Sequence, residues 1–393
     1  MENMKKLIII VSIVFGPLNG VLAQTINNNL SNELRELNKK SKLSGFAVSI
    51  VNADSILYLK SFGYENINAK KKFSTEDRFY IASISKTFIG IGLMKLVEEG
   101  KLELSTPINT ILPFPVINPY YPESKITIEH LAQHTSSISD GNIESKSWYL
   151  DNKLTLSKKA IGKIAYSSFY SWQKNKKTSL GEFLSESLTL QGKLYSKKRF
   201  SKSKPGEYYE YSNLGAALAA YIIEIKMGIS YDKYIEKFVT TELGFEQGVW
   251  RHLPFSKLPT SYFQTKIETP NHIPILYPTG GMLLSCDELS KYLIEMIKGF
   301  NGNSIILTPK SFQNMMTSQN GNNSELGIFW ELKGDNIGHN GGNYGVTCLM
   351  SFDRTTGTGK IFITNISSYN DNSLLKEMIA IWNKLGEYES KFK

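Results

Sequence analysis

The chain has 393 residues, of which 41% are hydrophobic, and it carries a formal net charge of +9. This length exceeds the usual range of one simple core, so we expect one large domain with a subdomain. The two cysteines, Cys286 and Cys348, are too few for a disulfide framework or a metal cluster, and whether they pair is left open. No nucleic-acid-binding motif accompanies the positive charge, so no nucleic-acid partner is expected.

The first 23 residues have the pattern of a secretory signal peptide. Two lysines precede an apolar run over 7–15, and small residues follow a Gly-Pro break. The apolar run is shorter than the roughly 20 residues that a membrane-spanning helix needs. We therefore expect cleavage after Ala23, export to the periplasm or the extracellular space, and no transmembrane anchor in the mature chain, 24–393. The alternatives are a buried first helix and a retained anchor.

Hydrophobic periodicity predicts strands near both ends of the mature chain and helices between them. In chain order, the predicted elements are a helix at Leu30–Leu37, strands at Phe46–Val51 and Ser55–Gly63, helices at Thr87–Glu99, Leu180–Leu190, Leu214–Met227 and Cys286–Lys298, strands at Val346–Phe352 and Lys360–Asn365, and a helix at Ser373–Leu385. Such an order predicts an α+β fold whose mostly antiparallel sheet joins the two ends of the sequence. No internal repeat or second domain is indicated.

The segment from 141 to 204 reads as a long insertion with weak periodicity. It holds fourteen Lys or Arg against four acidic residues, so it accounts for the positive charge while the rest of the chain is nearly neutral. One interpretation is a solvated, lysine-rich face. The other is attraction to an anionic surface, such as a cell envelope, or to a carboxylate-bearing substrate.

Ser83 and Lys86 stand three residues apart, which on a helix places a hydroxyl and an amine on one face. A lysine can take the serine proton only if burial or positive charge lowers its pKa, and the apolar helix that follows offers burial. The Ser-x-x-Lys spacing itself is weak, because it occurs six times in this chain. Ser83 differs from the serines of the other five spacings because apolar residues at 79–81 precede it and a helix that is expected to be buried follows it.

Two further motifs can complete a site around Ser83. Tyr211 and Asn213 precede an alanine-rich helix, where they are either part of a helix cap or a proton carrier and a donor to a substrate carbonyl. His339 lies in a glycine-rich segment, 338–345, that leads into a strand. This segment is either a turn with an incidental histidine or a place where substrate lies against a strand edge.

These three motifs, in this order, resemble the serine β-lactamase and penicillin-binding protein family in its class C-like branch. Similar blocks cover about two thirds of the mature chain: Phe46–Gly63, Arg78–Pro113, Ile126–Ser136, Pro205–Gly244, Tyr277–Leu293 and Gly327–Asn365. The resemblance implies a β-lactamase/transpeptidase-like fold, with an antiparallel sheet flanked by helices, an all-helical subdomain, and the active site between them. It implies no cofactor and no metal.

The resemblance also implies the roles of individual residues. Ser83 would be the acylated nucleophile, Lys86 and Tyr211 the general acid and base, and His339 a polar group beside the reacting centre. Substrate-binding positions would be Asn213, Asn340 and Gly341, and the backbone N–H groups of Ser83 and Gly342 would form the oxyanion hole.

Some positions depart from the family pattern. His339 and Asn340 stand where class C β-lactamases have lysine and threonine, which weakens the expectation that a substrate carboxylate is bound. A histidine there resembles D-alanyl-D-alanine carboxypeptidases and esterases of the family instead. Ser137 replaces a usual glycine, and His130 and His134 in the same block are interpreted as structural.

The sequence therefore predicts an exported serine hydrolase that forms an acyl-enzyme on an ester or peptide amide, with carboxypeptidase-like or esterase-like activity. The substrate would be a small molecule or peptide, with peptidoglycan fragments as one source. The alternatives are a class C-like β-lactamase and a non-catalytic protein that binds penicillin or peptidoglycan. The sequence leaves the oligomeric state open.

Overall fold

The computed structural model describes residues 24–245, 249–250, 258–318, 325–368 and 371–392. The predicted signal peptide lies outside these ranges and stays a prediction. The strands are β1 (Gly45–Val51), β2 (Ile56–Asn66), β3 (Lys71–Lys72), β4 (Phe79–Tyr80), β5 (Trp148–Leu150), β6 (Tyr262–Gln264), β7 (Ile267–Glu268), β8 (His272–Pro274), β9 (Leu283–Leu284), β10 (Glu331–Lys333), β11 (Asn336–Asn343), β12 (Val346–Asp353) and β13 (Gly359–Thr364).

The α-helices alternate with these strands along the chain. They are α1 (24–40), α2 (Ser85–Glu98), α3 (Ile128–Ala132), α4 (Lys158–Ile161), α5 (Lys163–Lys174), α6 (Leu180–Leu188), α7 (Asn213–Met227), α8 (Tyr231–Ile235), α9 (Cys286–Phe300), α10 (Pro309–Met316) and α11 (Asn372–Glu389). A short 3₁₀ turn, Ala82–Ile84, leads directly into α2.

The centre of the molecule is a seven-stranded antiparallel sheet with the order β10-β11-β12-β13-β1-β2-β3. The N-terminal strand β1 pairs with the C-terminal strand β13, and Phe46 lies opposite Thr364. This pairing joins the two hairpins that alternating hydrophobicity predicts. The predicted α+β class is therefore confirmed, and the two ends of the sequence meet in the sheet.

Each face of the sheet is covered by helices because the strand residues alternate between two apolar cores. Phe46, Val48 and Ile50 of β1 belong to the core formed with α1 and α11. Helix α9 packs on the same strands within the larger core, on the side of the active-site helix α2. Cys286 and Cys348 are buried in this larger core as free thiols, so the two cysteines do not pair.

Helix α2 is apolar on every side because it lies inside the molecule, where α7, α8 and α10 contact it. Together with α3 and α6, which contact α7, these helices form the mostly helical half of the protein. Within the described ranges, no single helix is long and apolar enough to span a membrane, although Asn213–Met227 and Tyr231–Thr240, bent by 76°, pass such a test as a pair.

The basic segment 141–204 folds over one end of the sheet. Strand β5 pairs with β8, which places Trp148 opposite Pro274. Aromatic residues of α5 form a third apolar cluster with the turn between β11 and β12: Phe169 and Trp172 contact Tyr344. The outward positions of α4 and α5 carry lysines, which is the arrangement of a solvated face.

Ser137, at the position of a usual glycine, adopts a left-handed backbone conformation with φ of 62°. A side chain with a Cβ is strained there, which is the physical reason that glycine suits the position. The buried Asn118 compensates, because its Nδ2 donates to Ser137 Oγ at 2.9 Å. The departure from the family pattern is thus accommodated by a local hydrogen bond.

We expect Ser137→Ala to lower the free energy of unfolding more than Ser137→Gly, by about 1 kcal/mol. Both variants lose the bond to Asn118, but only alanine retains a Cβ in the left-handed conformation. Urea denaturation of the two variants measures the difference. Equal stabilities would show that the backbone at Ser137 is not strained.

Candidate active site

Ser83 lies in the 3₁₀ turn between strand β4 and helix α2. The preceding residue, Ala82, has a left-handed φ of 47°, an unfavourable conformation for a residue with a Cβ. The turn is held by Ile81, whose N–H donates to the Met282 carbonyl at 2.9 Å. Ala82 and Ile84 are buried whereas Ser83 is partly exposed, so the turn presents the serine hydroxyl to the cavity described below.

Lys86 lies one turn further along and is completely buried. Its Nζ donates to Ser83 Oγ at 3.0 Å and to the carbonyl oxygen of Thr279 at 2.8 Å. Burial lowers the pKa of this amine to about 7, against a weaker opposing effect of the Asp140 charge. A substantial neutral fraction of Lys86 is therefore present near pH 7, and a neutral amine can accept the serine proton.

Tyr211 lies beside both Ser83 and Lys86. Its ring is 5.0 Å from Lys86 Nζ, and its hydroxyl interacts with Ser83. Burial raises the pKa of Tyr211 well above its usual value, so the phenol keeps its proton at neutral pH. This protonated hydroxyl suits a proton donor better than a base.

The chain around Tyr211 is fixed by His134. The Ser212 N–H donates to His134 Nδ1 at 3.2 Å, and the His134 ring lies 4.5 Å from the Tyr211 ring. Burial lowers the pKa of His134, so it is neutral. His130 instead closes a capping box with Thr127 at the start of α3. Both histidines occupy structural positions, although His134 also contacts the ring of Tyr211.

Asn213 begins helix α7 and is held by Asp140. One carboxylate oxygen of Asp140 accepts from Asn213 N and Nδ2 at 2.9 and 2.8 Å, and the other accepts from Leu214 N and Ser212 Oγ at 2.9 and 3.0 Å. An amide nitrogen carries two hydrogens, so Asn213 can still donate to a substrate. Asp140 therefore sets the orientation of the predicted substrate-binding amide.

His339, Gly341 and Gly342 lie on strand β11, so the glycine-rich segment is itself a strand and the turn follows at Tyr344 and Gly345. Position 341 requires a glycine because the strand passes close to the nucleophile turn. A Cβ at Gly341 would overlap the Ile81 carbonyl. The short strand β10 pairs with β11 only as far as Gly338. Beyond this point, the described residues add no further strand to this edge of β11.

The side chain of His339 is buried and neutral. Its Nδ1 donates to the Asn340 carbonyl at 2.7 Å, and burial with the nearby Lys86 lowers its pKa to about 4. Its ring centroid is 6.4 Å from that of Tyr211. Asn340 is exposed, and none of His339, Asn340 and Gly341 is among the residues that line the cavity described below, although Gly341 lies against the Ile81 carbonyl beside the nucleophile turn.

These elements enclose a cavity of about 250 Å³ beside Ser83. Its lining includes Ser83, Asp140, Glu144, Tyr211, Asn213 and Gly342. A Cβ at Gly342 would meet nothing within 4 Å, so the backbone there is open to a ligand. Ser83 and Gly342 thus both border the space in which the predicted oxyanion hole would lie. In the described part of the chain, no group of three His, Cys, Asp or Glu is placed to hold a metal ion.

Sequence reasoning did not identify Asp140, Glu144 or Thr279 as members of this site. Thr279 acts through its carbonyl, which has no sequence signal. Asp140 is 73 residues from its partner Asn213, and an isolated Asp beside a Ser reads only as a possible cap. Glu144 lies in the basic insertion, and the positive net charge of that segment gives no indication that one of its carboxylates lines the cavity.

A serine hydrogen-bonded to a buried lysine with a pKa of about 7 and to a protonated tyrosine, between an antiparallel sheet and a helical half, defines a serine hydrolase of the β-lactamase and transpeptidase fold. The Beta-lactamase family model matches residues 30–378. The chain belongs to this family, as the resemblance predicts.

Known proteins agree with this assignment. The chain is 25% identical over 351 residues to "Putative penicillin-binding protein PbpX" of Bacillus subtilis (strain 168), covering 87% of this chain and 74% of the relative. Other curated relatives are covered over less than half of their own length.

Two solved structures show the same fold. The octameric penicillin-binding protein homologue from Pyrococcus abyssi has a TM-score of 0.68 at 24% identity, covering 91% of this chain and 77% of that protein. The D-amino acid amidase from Ochrobactrum anthropi SV3, in complex with D-phenylalanine, has a TM-score of 0.66 at 19% identity, covering 94% of this chain and all of that protein.

We expect Lys86→Met to abolish hydrolysis and to stabilise the protein. Loss of the base should lower kcat/KM by a factor on the order of 10³ or more. Because the folded-state pKa of Lys86 is below its unfolded value, folding is disfavoured at every pH below the unfolded pKa, and methionine removes this penalty. Thermal unfolding at pH 7 should therefore show a higher Tm.

The matched control is Lys95→Met on the same helix, where the Lys95 amine donates to the Ile306 carbonyl at 3.3 Å and has no hydrogen bond to Ser83. This variant should retain activity. A lower Tm for Lys86→Met, or unchanged hydrolysis, would contradict the assignment of Lys86 as a buried base.

The rate of acylation should depend on pH through Lys86. With a neutral ester such as p-nitrophenyl acetate, kcat/KM should fall about tenfold for each pH unit below 7 and level off above it, because only the neutral amine accepts a proton. His339 has its pKa near 4 and contributes no second step at neutral pH. A profile that is flat between pH 5 and 8 would exclude Lys86 as the base.

Proposed function

We propose that this chain is an exported serine hydrolase that forms an acyl-enzyme on Ser83 with amides or esters. The observation that carries the proposal is the 3.0 Å contact between Lys86 Nζ and Ser83 Oγ, made by an amine whose pKa is about 7. Export is proposed from the signal-peptide pattern of residues 1–23. The substrate class is argued below from the charges around the nucleophile.

In the first step, Ser83 Oγ attacks the carbonyl carbon of the substrate and its proton moves to the neutral Lys86. The carbonyl oxygen becomes negatively charged, and the backbone N–H groups of Ser83 and Gly342 are proposed to stabilise it. Asn213, oriented by Asp140, donates to the substrate's own amide or carbonyl group. A tetrahedral intermediate results.

In the second step, the bond from the acyl carbon to the leaving nitrogen or oxygen breaks. The leaving group takes a proton from Tyr211, and the protonated Lys86 replaces that proton. Water then attacks the acyl-Ser83 ester and gives up a proton as the carbon–Oγ bond breaks. Ser83 recovers its O–H, and the acid product leaves.

Two narrower activities, D-alanyl-D-alanine carboxypeptidase and β-lactamase, act on substrates that carry a carboxylate. The residue where class C enzymes have a lysine is the neutral His339, and Asn340 lies outside the cavity lining. The replacement of lysine by His339 argues against a β-lactamase, but it fits a carboxypeptidase. Amidase or esterase chemistry is proposed first because no described Lys or Arg lines the cavity to bind a substrate carboxylate. The shared fold with a D-amino acid amidase supports the same ranking.

Intact-mass measurement after exposure to p-nitrophenyl acetate and to a fluorescent penicillin tests the proposal. We expect the ester to leave one acetyl group on wild type and none on Ser83→Ala. Rapid release of opened penicillin would favour a β-lactamase, and a persistent adduct would favour a peptidase or a penicillin-binding protein.

The matched control is Ser171→Ala, because Ser171 and Lys174 have the same Ser-x-x-Lys spacing on α5. This variant should be acylated like wild type. If neither reagent adds mass to wild type and no turnover appears, the proposed hydrolase function is wrong.

A further inference from the structure

The cavity beside Ser83 carries negative charge although it is roofed by the most basic segment of the chain. The side chains of Asp140 and Glu144 line it. No Lys or Arg is among the described residues that line it, and the amine of Lys86 is buried behind Ser83. The charge of the cavity is therefore opposite to the charge of the surrounding surface.

The two carboxylates differ in their partners. Both oxygens of Asp140 are occupied by hydrogen bonds from residues 212–214 at the start of α7. Glu144 belongs to the 3₁₀ turn Ile143–Lys146, and no ion pair to its carboxylate occurs within the described ranges. The residue is exposed on the solvent side of the cavity lining, so an incoming substrate can reach its carboxylate, and partial burial, with the charge of Asp140 second, raises its pKa.

The nearest arginine does not neutralise this pair of carboxylates. Arg199 is 4% exposed and lies behind the loop, where it donates to the Asp140 carbonyl at 2.8 Å and to Asn142 Oδ1 at 3.4 Å. These bonds go to neutral oxygens, and the Arg199 charge acts on Asp140 without an ion pair to either carboxylate among the described residues. A substrate carboxylate placed beside Glu144 would therefore meet like charge with no cation paired to that side chain.

One part of the remaining cavity wall is apolar. Strand β5 of the insertion and strand β8 bring Trp148 and Pro274 together, and Ile143 and Leu276 lie beside them. A hydrophobic or aromatic group can bury its surface there. The cavity thus combines a reactive serine, a carboxylate without a cation and an apolar wall.

We propose that Glu144, with Asp140 behind it, receives the free ammonium group of the substrate, and that the substrates are amides or esters of amino acids with apolar side chains. The inference rests on the proposed acyl-enzyme function and specifies its substrate class. An α-ammonium group is one carbon away from the reacting carbonyl, so it would lie within the same small cavity as Ser83. The side chain of the amino acid would contact Trp148 and its apolar neighbours.

The reaction follows the acylation and deacylation steps described under the proposed function. The bond from the aminoacyl carbon to Ser83 Oγ forms, the carbon–nitrogen or carbon–oxygen bond to the leaving group breaks, and ammonia, an amine or an alcohol leaves with the proton from Tyr211. Water then releases the free amino acid. The ammonium group keeps its charge throughout, and Glu144 acts only in binding.

The test compares each substrate with a form that lacks the charge. The p-nitroanilides of D- and L-phenylalanine and their N-acetyl derivatives are suitable, because acetylation removes the ammonium group and leaves the bond to be broken unchanged. Wild type should prefer the free amine of at least one enantiomer. Glu144→Gln should lower kcat/KM for that substrate about 10- to 100-fold, mainly through KM, and leave the acetylated form unchanged.

The control variant is Glu182→Gln, since Glu182 is an exposed carboxylate of the same segment that does not line the cavity. It should behave as wild type with every substrate. Preference of wild type for the acetylated forms, or an unchanged kcat/KM in Glu144→Gln, would overturn the ammonium site.

A binding measurement separates failure of this inference from failure of the proposed function. Phenylalanine amide should bind Ser83→Ala, which cannot turn it over, and bind the double variant Ser83→Ala/Glu144→Gln about 10-fold or more weakly by calorimetry. Equal binding by both variants overturns the ammonium site. Failure of wild type to form the acetyl adduct with p-nitrophenyl acetate overturns the acyl-enzyme instead, whatever the calorimetry shows.

Discussion

The buried amine of Lys86 is the group on which the rest of the active site depends. An ammonium ion without access to water is unfavourable. Burial therefore lowers the pKa of Lys86 to about 7, so that much of the amine is neutral at neutral pH. The enclosure comes from distant parts of the chain: the nucleophile turn, Tyr211 and the carbonyl of Thr279. A serine hydrolase needs a base that is neutral at working pH, and here the fold provides it by exclusion of water.

The position of the nucleophile relative to the sheet follows from one close approach. Gly341 of β11 lies against the Ile81 carbonyl, at a distance that no Cβ would permit. The contact brings an edge strand with open backbone groups next to Ser83, while β10 ends early enough to leave that edge uncovered by the described strands. Glycine is needed in this strand for close approach of the backbone to the nucleophile turn and not for an unusual backbone conformation, since neither Gly341 nor Gly342 has a left-handed φ.

The net charge of the segment 141–204 has the opposite sign to the charge of the side chains that line the cavity. The lysines of the segment 141–204 lie mostly on its outer surface, where water screens them, whereas Glu144 and Asp140 of the same region border the cavity. A net charge summed over a segment describes the solvated face and says nothing of the few groups that a substrate meets. This separation is the reason that we propose an ammonium-bearing substrate, although the charge count of the segment alone would equally suggest a carboxylate-bearing one.

Much of the framework followed from local patterns. Hydrophobic periodicity predicts the hairpins at both ends and the buried helix α2, because a strand or helix must bury one face whatever its partner is. The family motifs then singled out Ser83 among six equivalent Ser-x-x-Lys spacings. The glycine-rich segment was harder to interpret, since its strand character comes from pairing with β12 and from contact with Ile81.

The sequence by itself determined the order of elements, the family, and which residue types could form an acyl-enzyme. Only the tertiary structure decided that Asp140 orients Asn213, that the Thr279 carbonyl holds Lys86, that Asn340 is outside the cavity lining, and that Glu144 is inside it. These facts depend on contacts between residues far apart in the chain, and some are made by backbone atoms that every residue possesses. No local pattern encodes them, because they arise when separate segments are packed together.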